Sequence, residues 1–372
     1  MTKNAAANEV LTKKGVVKRQ LLSEIKSGRL APGTHLPSTR VLAGKCGVSY
    51  VTLHRILTEL EKDGYIQRRN GVGTFVGTPP GHVAITKIGI PIGLEFNRFF
   101  VDAYEEISRQ ANLLNIQTVL GARDSEEEFL DRLAEENVNA VLRFPGNHAR
   151  EHAIQEKLAR YNMRAVMLND WWHEGGGRFP CVMTDEEAAA AEMLDHLYSL
   201  GHRRIALYQE STFGLRVNLT RAFYRWHYGR GLTFGREQLM TYEDVDIREP
   251  LRFWEWVERN RITAVFFSHD FNVMRALPYW REAGIADPQA RISIAGFDDI
   301  ADSAELGLTS IRQNTRKLVS EAFRLLRSID YHRNAVVKIS ARCVIRTSTR
   351  PPRELAEPGP GGDTVTGSEN RQ

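Results

Sequence analysis

Residues 36–76 read LPSTRVLAGKCGVSYVTLHRILTELEKDGYIQRRNGVGTFV, a stretch that predicts two helices followed by a β-hairpin. Ser38 and Ser49 stand at favoured N-cap positions, where a serine hydroxyl accepts a hydrogen bond from a backbone N–H of the first turn. Gly47 separates the two helices and Gly64 ends the second, since glycine tolerates the left-handed backbone of a helix end. An apolar stripe on the second helix predicts a face turned to a core, formed by Leu53, Ile56, Leu57 and Leu60.

The opposite face of the second helix is polar and carries Tyr50, Thr52, His54, Arg55 and Glu59. Residues 65–76 then alternate in polarity around Asn70-Gly71, a dipeptide that is a strong hairpin signal. A helical pattern over residues 10–28 completes the unit. Helix, turn, helix and hairpin is the arrangement that places a recognition helix in the major groove of DNA. We therefore expect this part of the chain to bind duplex DNA.

Charge is distributed unevenly along the 372 residues, which are enough for two or three domains. Residues 1–80 hold 13 Lys and Arg against 5 Asp and Glu, a net charge of +8, while the remainder holds 37 basic and 41 acidic side chains, a net charge of −4. A basic segment alone is equally compatible with an ordinary solvated surface. Together with the helix-turn-helix pattern, it favours a head that meets phosphate groups.

Several classes of protein are disfavoured by the sequence. Cys46, Cys181 and Cys343 are too scattered for a disulfide framework or a zinc site, so no metal is expected. The chain has no apolar run of membrane-spanning length, and residues 1–10 lack the apolar core of a signal peptide, which predicts a cytoplasmic protein without a membrane partner. Gly71-Val72-Gly73 sits in a hairpin rather than before a helix, and no nucleophile motif occurs. We expect neither an enzyme with catalytic residues nor a cofactor.

From residue 88 to residue 350, strand patterns alternate with helix patterns. Such alternation specifies an α/β fold with parallel sheets and helical crossovers, and its length favours two sheets over one. The predicted domains are a DNA-binding domain over residues 1–77, a linker over 78–87, an effector domain over 88–350 and a disordered tail over 351–372.

The first stretch also carries a family resemblance. Leu36-Pro37-Ser38-Thr39-Arg40, Gly47-Val48-Ser49 and Gly71-Val72-Gly73-Thr74-Phe75-Val76 resemble, in order and spacing, the winged helix-turn-helix of the GntR family of bacterial regulators. The resemblance implies a symmetric dimer on a palindromic double-stranded DNA operator. It also implies DNA contacts from the helix starts, the recognition helix and the wing: Ser38, Thr39, Arg40, Ser49, Tyr50, Thr52, His54, Arg55, Arg68, Arg69, Gly71 and Gly73.

Two positions depart from the GntR pattern. Relatives often have Glu at position 39 and Arg at position 50, so Thr39 and Tyr50 leave the operator sequence open. For Arg55, a solvated helix face is the alternative to a DNA contact.

Three further stretches resemble the effector domains of the lactose repressor family, which are built like periplasmic sugar-binding proteins. They are the segment from Asp185 to Tyr208, which contains Leu200-Gly201-His202-Arg203-Arg204, the run Thr263-Ala264-Val265-Phe266-Phe267-Ser268-His269-Asp270, and the run from Ile292 to Gln313. The resemblance implies two similar subdomains joined by three crossings. It further implies a small polar ligand, a carbohydrate, clamped between them.

Asp298 and Asp270 each follow a predicted strand, at the carboxyl end where open parallel sheets bind ligands. A carboxylate there can accept hydrogen bonds from two adjacent sugar hydroxyls. The alternative for both residues is to cap the following helix. By resemblance, Gln313 lies at a crossing between subdomains, where a hinge hydrogen bond and a ligand contact are equally expected.

The resemblance adds four kinds of ligand candidate. Phe99 and Phe100 match an aromatic pair at a helix start, with core packing as the alternative, and Asp185 matches a rim residue that often only supports the site. Trp171, beside Trp172 in a loop, either lines the cleft or packs on it. Arg216 is named because Leu219 stands where the family has Arg. His269 replaces a common Asn, so the ligand of a relative does not carry over.

These inferences combine into a sugar-responsive transcription regulator in which the ligand changes the spacing of two DNA-binding heads. We expect a repressor: release from DNA by an inducer fits the commoner family behaviour, while corepression would use the same parts. A coupling of about 1–3 kcal/mol between the sites suffices. Two alternatives stay open: a DNA-binding protein whose effector domain only dimerises, and a sugar-binding module for transport.

Overall fold

The computed structural model describes residues 13–78, 85–93, 98–144, 148–169, 179–209, 217–328, 331 and 335–352. These residues form two compact units. The first takes its described residues from Met1–Ala189, Phe213–Arg221 and Arg312–Arg342, and the second from Ala190–Thr212, Ala222–Ile311 and Cys343–Gln372. Apart from the short segment 213–221, the chain passes from one unit to the other near residues 189, 311 and 342, which agrees with the three crossings that the resemblance implies.

The first unit begins with a small head. Its elements are α1 (Lys13–Lys26), β1 (His35–Leu36), α2 (Thr39–Cys46), α3 (Tyr50–Lys62), β2 (Ile66–Arg69) and β3 (Gly73–Val76). The strands form an antiparallel sheet in the order β1-β3-β2. Both predicted caps are confirmed, since Ser38 Oγ accepts a hydrogen bond from Val41 N–H at 3.4 Å and Ser49 Oγ accepts one from Thr52 N–H at 3.1 Å. The predicted apolar stripe of α3 is buried against α1.

A six-stranded parallel sheet forms the rest of the first unit, in the order β14-β8-β7-β6-β4-β5. Its strands are β4 (Lys87–Ile92), β5 (Gln117–Ala122), β6 (Ala140–Arg143), β7 (Arg164–Leu168), β8 (Cys181–Thr184) and β14 (Val336–Ile339). Helices α4 (Arg98–Leu113) and α12 (Thr315–Arg327) share one apolar core with the sheet, and α5 (Glu126–Glu135) and α6 (His148–Arg160) share another. Helices on both faces are what buried parallel strands require.

The second unit holds another six-stranded sheet, in the order β10-β9-β11-β12-β13-β15. Its strands are β9 (Ile205–Gln209), β10 (Leu239–Thr241), β11 (Ala264–Phe267), β12 (Ser293–Asp298), β13 (Thr309–Arg312) and β15 (Arg342–Val344). Its helices are α7 (Glu186–Ser199) and α8 (Val217–Gly229), which both begin in the first unit, and α9 (Pro250–Arg259), α10 (Asp270–Glu282) and α11 (Ala301–Glu305). The core between α9, α10 and the sheet is aromatic, with Trp280 fully buried on Phe253 at a centroid distance of 4.9 Å.

The predicted α/β class and both parallel sheets are confirmed, and the long helices lie where the sequence predicts them. The sequence does not predict the short strands β8, β10, β13, β14 and β15. Each has three or four residues, too few for a periodic pattern to distinguish a strand from a loop. The linker residues 79–84 and the tail from residue 353 lie outside the described part of the chain.

A buried charge cluster ends strand β6. The Arg143 guanidinium donates to Glu126 Oε1 and Oε2 at 2.6 and 2.9 Å, and to Glu151 Oε1 and Oε2 at 2.7 and 3.0 Å. The side chains of Arg143 and Glu126 are 0% and 2% exposed. Charges removed from water must be paired and hydrogen-bonded. Removal of any one member of this cluster therefore leaves the others with an uncompensated buried charge.

No helix among the described residues is both long and apolar enough to cross a lipid bilayer. The same residues contain no group of three His, Cys, Asp or Glu side chains arranged to hold a metal ion.

Candidate functional site

The recognition helix α3 presents the polar face that the sequence predicts for DNA. Tyr50 is 52% exposed, and His54 and Arg55 are exposed on the same helix. The rings of Tyr50 and His54 lie 6.1 Å apart, so they form one surface. Thr52 is half-buried and its hydroxyl lies 2.8 Å from Ser49 Oγ, which ties this side chain to the helix cap.

The amino end of α2 offers a second polar edge. Thr39 is half-buried, whereas Ser38 and Arg40 are exposed. Backbone N–H groups of a first helical turn have no partner inside the helix, and the helix dipole makes this end attractive to a phosphate. These features leave the three residues well suited to a DNA backbone contact, which stays a prediction.

The wing residues divide into two groups. The guanidinium of Arg68 donates to the His54 carbonyl and to Thr58 Oγ1, both at 3.3 Å, so it braces the recognition helix. At Gly73 φ is 141°, a backbone conformation that favours glycine, so the glycine is explained without a DNA contact. Arg69, whose guanidinium lies 4.8 Å from the centre of the Phe75 ring, and Gly71 are exposed.

Glu59, which the sequence places on the polar face of α3, is turned to α1 instead. Its carboxylate accepts hydrogen bonds from Lys14 Nζ at 2.6 Å and Lys18 Nζ at 2.8 Å. These bonds lower the pKa of Glu59, the bond from Lys14 contributing most. The sequence does not predict these two ion pairs, because partners 41 to 45 residues apart leave no local signal.

In the first unit, the ligand candidates mostly have structural partners. Phe99 is 6% exposed and meets Phe100 and Phe144 edge-on, so core packing accounts for it, while Phe100 is half-buried. Asp185 Oδ1 accepts from Ala188 N–H at 3.3 Å and caps α7. Trp171 and Arg216 lie outside the described residues.

Gln313 sits in a buried polar network at the start of α12. Its Oε1 accepts from Asn169 Nδ2 at 3.1 Å and from Thr184 Oγ1 at 2.5 Å. Asn169 Oδ1 in turn accepts from the Thr184 N–H at 2.9 Å. The side chain is 6% exposed, which fits the hinge hydrogen bond predicted as one of its two roles.

In the second unit, Asp298 lies at the carboxyl end of β12 in a strained conformation. Its φ is 109° and that of Asp299 is 50°, in a region that side chains other than glycine rarely adopt. Asp298 Oδ2 lies 2.9 Å from His269 Nδ1, and the His269 side chain is the more exposed of the two, at 13% against 1%. Strain of this kind clusters at ligand sites, so the pair is the best-supported ligand candidate in this unit.

Asp270 is placed differently from its prediction as a ligand contact. It is fully buried, and its carboxylate accepts from Ser303 Oγ at 2.6 Å and from Ser310 Oγ at 2.7 Å. Burial and, to a lesser extent, the negative charge of Asp298 together raise the pKa of Asp270 to about 8. In this structure Asp270 supports the loop that follows Asp298, because both of its carboxylate oxygens accept hydrogen bonds from serine hydroxyls and one also accepts a bond from the Ile300 N–H.

A pH-dependent stability follows from that raised pKa. The unfolded carboxyl has a pKa of about 3.9, so between about pH 4 and pH 8 only the folded chain holds the proton, and stability falls as the pH rises through this window. Asp270→Asn mimics the protonated acid and removes this dependence. We expect wild type to lose on the order of a few kcal/mol relative to the variant between pH 5 and pH 8.5, measured by urea unfolding. A constant difference across that range would contradict the assignment.

Two buried polar atoms near Asp270 have no hydrogen-bond partner within the described residues: Ser268 Oγ and Asn272 Nδ2. An unpaired buried polar group costs about 1–3 kcal/mol and usually marks a missing water or ligand. Both lie at the carboxyl end of β11, beside His269. The sequence predicts the strand end, but it does not predict these two residues.

Comparison with known proteins agrees with this geometry. Residues 13–76 match the model of bacterial regulatory proteins of the gntR family. Residues 94–228 match periplasmic binding proteins and the sugar binding domain of the LacI family, and residues 194–349 match a periplasmic binding protein-like domain. The chain is a GntR-type DNA-binding domain fused to a LacI-type effector domain.

Two repressors match this chain over most of its length. The arabinose metabolism transcriptional repressor of Geobacillus stearothermophilus is 28% identical over 356 residues, which cover 90% of this chain and 96% of that protein. A repressor of the same name from Halalkalibacterium halodurans is 22% identical, covering 85% and 88%. The solved structure of the transcriptional regulator CelR with cellobiose, 18% identical, has a TM-score of 0.61 and covers 84% of this chain and 100% of that chain, which supports the LacI-type fold.

The GntR-type head also touches the LacI-type part of the first unit. Arg324 Nη1 donates to the Ser27 carbonyl and Ser328 Oγ donates to the Lys26 carbonyl, both at 2.6 Å. Gly28 has φ 77°, and a Cβ there would lie 2.7 Å from the Arg324 carbonyl oxygen. We call these residues the head contact. It joins the end of α1 to the end of α12, whose first turn follows Gln313.

Proposed function

We propose that this protein is a transcriptional repressor that binds operator DNA through its GntR-type head and is controlled by a carbohydrate bound to its LacI-type domain. Arabinose is the first ligand to test. The observation that carries the proposal is the match of nearly the whole chain to repressors of arabinose metabolism. The exposed face of α3 supports DNA binding, and the strained His269–Asp298 pair supports carbohydrate binding. The protein then acts in the cytoplasm, where the operator is.

For the ligand, we propose contacts at the carboxyl ends of β11 and β12. Asp298 accepts hydrogen bonds from sugar hydroxyls, and His269 holds its carboxylate in place. Ser268 and Asn272 supply further polar groups to the same edge. Asp185, Gln313, Phe100, Trp171 and Arg216 stay candidates from the other strand ends and loops. The polar set differs from the family pattern at His269, so its fit to arabinose has to be measured.

For DNA binding, we propose a homodimer on a palindromic operator. Two half-sites of a duplex match two heads related by a two-fold axis.

Arg55→Ala tests the DNA-binding half of the proposal. Because Arg55 is exposed on the recognition helix, its loss is expected to weaken operator binding by about 1–3 kcal/mol, roughly 5- to 150-fold. The measurement is fluorescence anisotropy of a labelled duplex from the promoter of its own gene, titrated with full-length protein at fixed salt. Equal binding by the variant would contradict the role of α3.

Arg29→Ala is the matched control. It removes the same charge from an exposed arginine of the head, next to the head contact rather than on α3. Its effect should stay small and sequence-independent. In the same assay, arabinose should release wild-type protein from the duplex. No release by arabinose or by other monosaccharides would favour a domain that only dimerises.

A further inference from the structure

A pocket of about 570 Å³ opens in the second unit at the amino ends of β11 and β12, the opposite ends of those strands from the Asp298 site. Its floor is apolar and buried, with Trp254, Val257, Ile262 and Ile292 each no more than 7% exposed. This volume lies within the range of small-molecule sites. Neither the operator nor the carbohydrate accounts for it.

The rim of the pocket is basic. Arg261, Arg291 and Arg350 line it and are exposed, against the single carboxylate of Glu258. The Arg291 guanidinium lies 5.3 Å from the centre of the Trp254 ring, and Arg350 Nε donates to the Thr347 carbonyl at 3.1 Å. Within the described chain, the Arg261 and Arg291 side chains make no hydrogen bond or ion pair. The rim therefore has a net positive charge with donors available for an anion.

Arg261 occupies a backbone position that is unfavourable for it. It follows the end of α9 with φ 50°, in the left-handed region. The other described helices that are followed by such a residue use asparagine or glycine there: Asn115, Asn137, Asn162, Gly28, Gly47, Gly64, Gly201, Gly231, Gly284 and Gly307. Arginine in this conformation is disfavoured relative to glycine. A guanidinium at position 261 that contacts a ligand in the pocket would explain why arginine occupies this position.

His202, a residue of the Leu200-Gly201-His202 motif, anchors one wall. It is 1% exposed, and its Nε2 lies 2.8 Å from the Arg350 carbonyl oxygen and 2.9 Å from Ser293 Oγ. Burial lowers the pKa of His202, so the ring stays neutral at physiological pH. It ties the segment that carries Arg350 to the first residue of β12, and so holds the third arginine of the rim in place.

We propose that this pocket is a second ligand site, which binds a small anionic metabolite carrying phosphate or carboxylate groups. The guanidinium groups pair with the anion, since their planar forks match both groups. The buried floor receives the apolar part of the ligand. The site is separate from the one for carbohydrate.

Isothermal titration calorimetry on the full-length protein at low ionic strength tests this, with inorganic pyrophosphate and citrate as probes. Saturable binding of at least one probe is expected, and which probe binds tells phosphate from carboxylate recognition. Arg291→Ala and Arg261→Gly should each weaken binding at least 10-fold. The glycine suits the observed backbone, so Arg261→Gly should also keep or raise the melting temperature, which separates loss of the site from loss of the fold.

Arg252→Ala on the exposed side of α9 is the charge control and should bind as wild type does. Asp298→Ala should likewise keep its affinity for the probe. The proposal is overturned if neither probe binds, if Arg261→Gly binds as tightly as wild type, or if Asp298→Ala removes probe binding, because the anion would then occupy the carbohydrate site.

Discussion

Asp298→Ala is expected to abolish the response of this protein to its carbohydrate while leaving operator binding intact. The substitution removes the carboxylate at the end of β12 that His269 holds at 2.9 Å. Losing two charge-assisted hydrogen bonds to sugar hydroxyls costs about 3 kcal/mol or more, at least roughly 100-fold in Kd. Two measurements check this: calorimetric titration of arabinose into the protein, and arabinose-dependent release of the labelled operator.

Asp302→Ala is the control for this experiment. Asp302 is an exposed carboxylate four residues further on, in α11, and its removal should leave the Kd for arabinose unchanged. Alanine at position 298 does not relieve the backbone strain there, because φ is 109° and alanine also has a Cβ. Asp298→Gly therefore provides a second variant that relieves the backbone and still lacks the carboxylate. Normal sugar binding by either Asp298 variant would mean that the ligand is held elsewhere.

Arg143→Met is expected to produce the largest loss of stability. The guanidinium is fully buried and donates hydrogen bonds to both Glu126 and Glu151. Its removal leaves these two buried carboxylates without a cation between them. Breaking a buried ion cluster in this way costs about 3–5 kcal/mol. The free energy of unfolding, measured in urea by far-ultraviolet circular dichroism, should fall by this amount.

Replacing the whole set distinguishes charge from packing. The triple variant Arg143→Met, Glu126→Leu, Glu151→Met removes all three charges and keeps similar volume, so most of the lost stability should return. If Arg143→Met alone costs less than about 1 kcal/mol, water must reach the cluster in solution.

The parts of the fold that depend on local periodicity are predictable from the sequence. The N-caps Ser38 and Ser49, the apolar stripe of α3 and the alternation that produces two parallel sheets all follow from residues within one or two turns of each other. The strand ends at Asp270 and Asp298 are predictable for the same reason.

The functional details that depend on pairs of residues far apart in the chain cannot be predicted from the sequence. Glu59 faces α1 because Lys14 and Lys18 lie there, and Asp270 is buried because Ser303 and Ser310, more than 30 residues away, reach its carboxylate. Their local patterns predict only that Glu59 lies on the polar face of α3 and that Asp270 lies at the carboxyl end of a strand. The strain at Asp298 is also invisible in sequence, since aspartate is common at ordinary strand ends.

The head contact limits how DNA-binding domains can be exchanged between regulators of this architecture. A transplanted winged helix would arrive with its own residue at position 28, and any side chain there would push into the backbone of Arg324. The carbonyls of positions 26 and 27 would also need to meet Arg324 and Ser328. A chimaera that preserves only the linker length would thus bind its new operator but respond weakly to sugar. A chimaera that retains Lys26–Gly28 of this chain keeps the head contact.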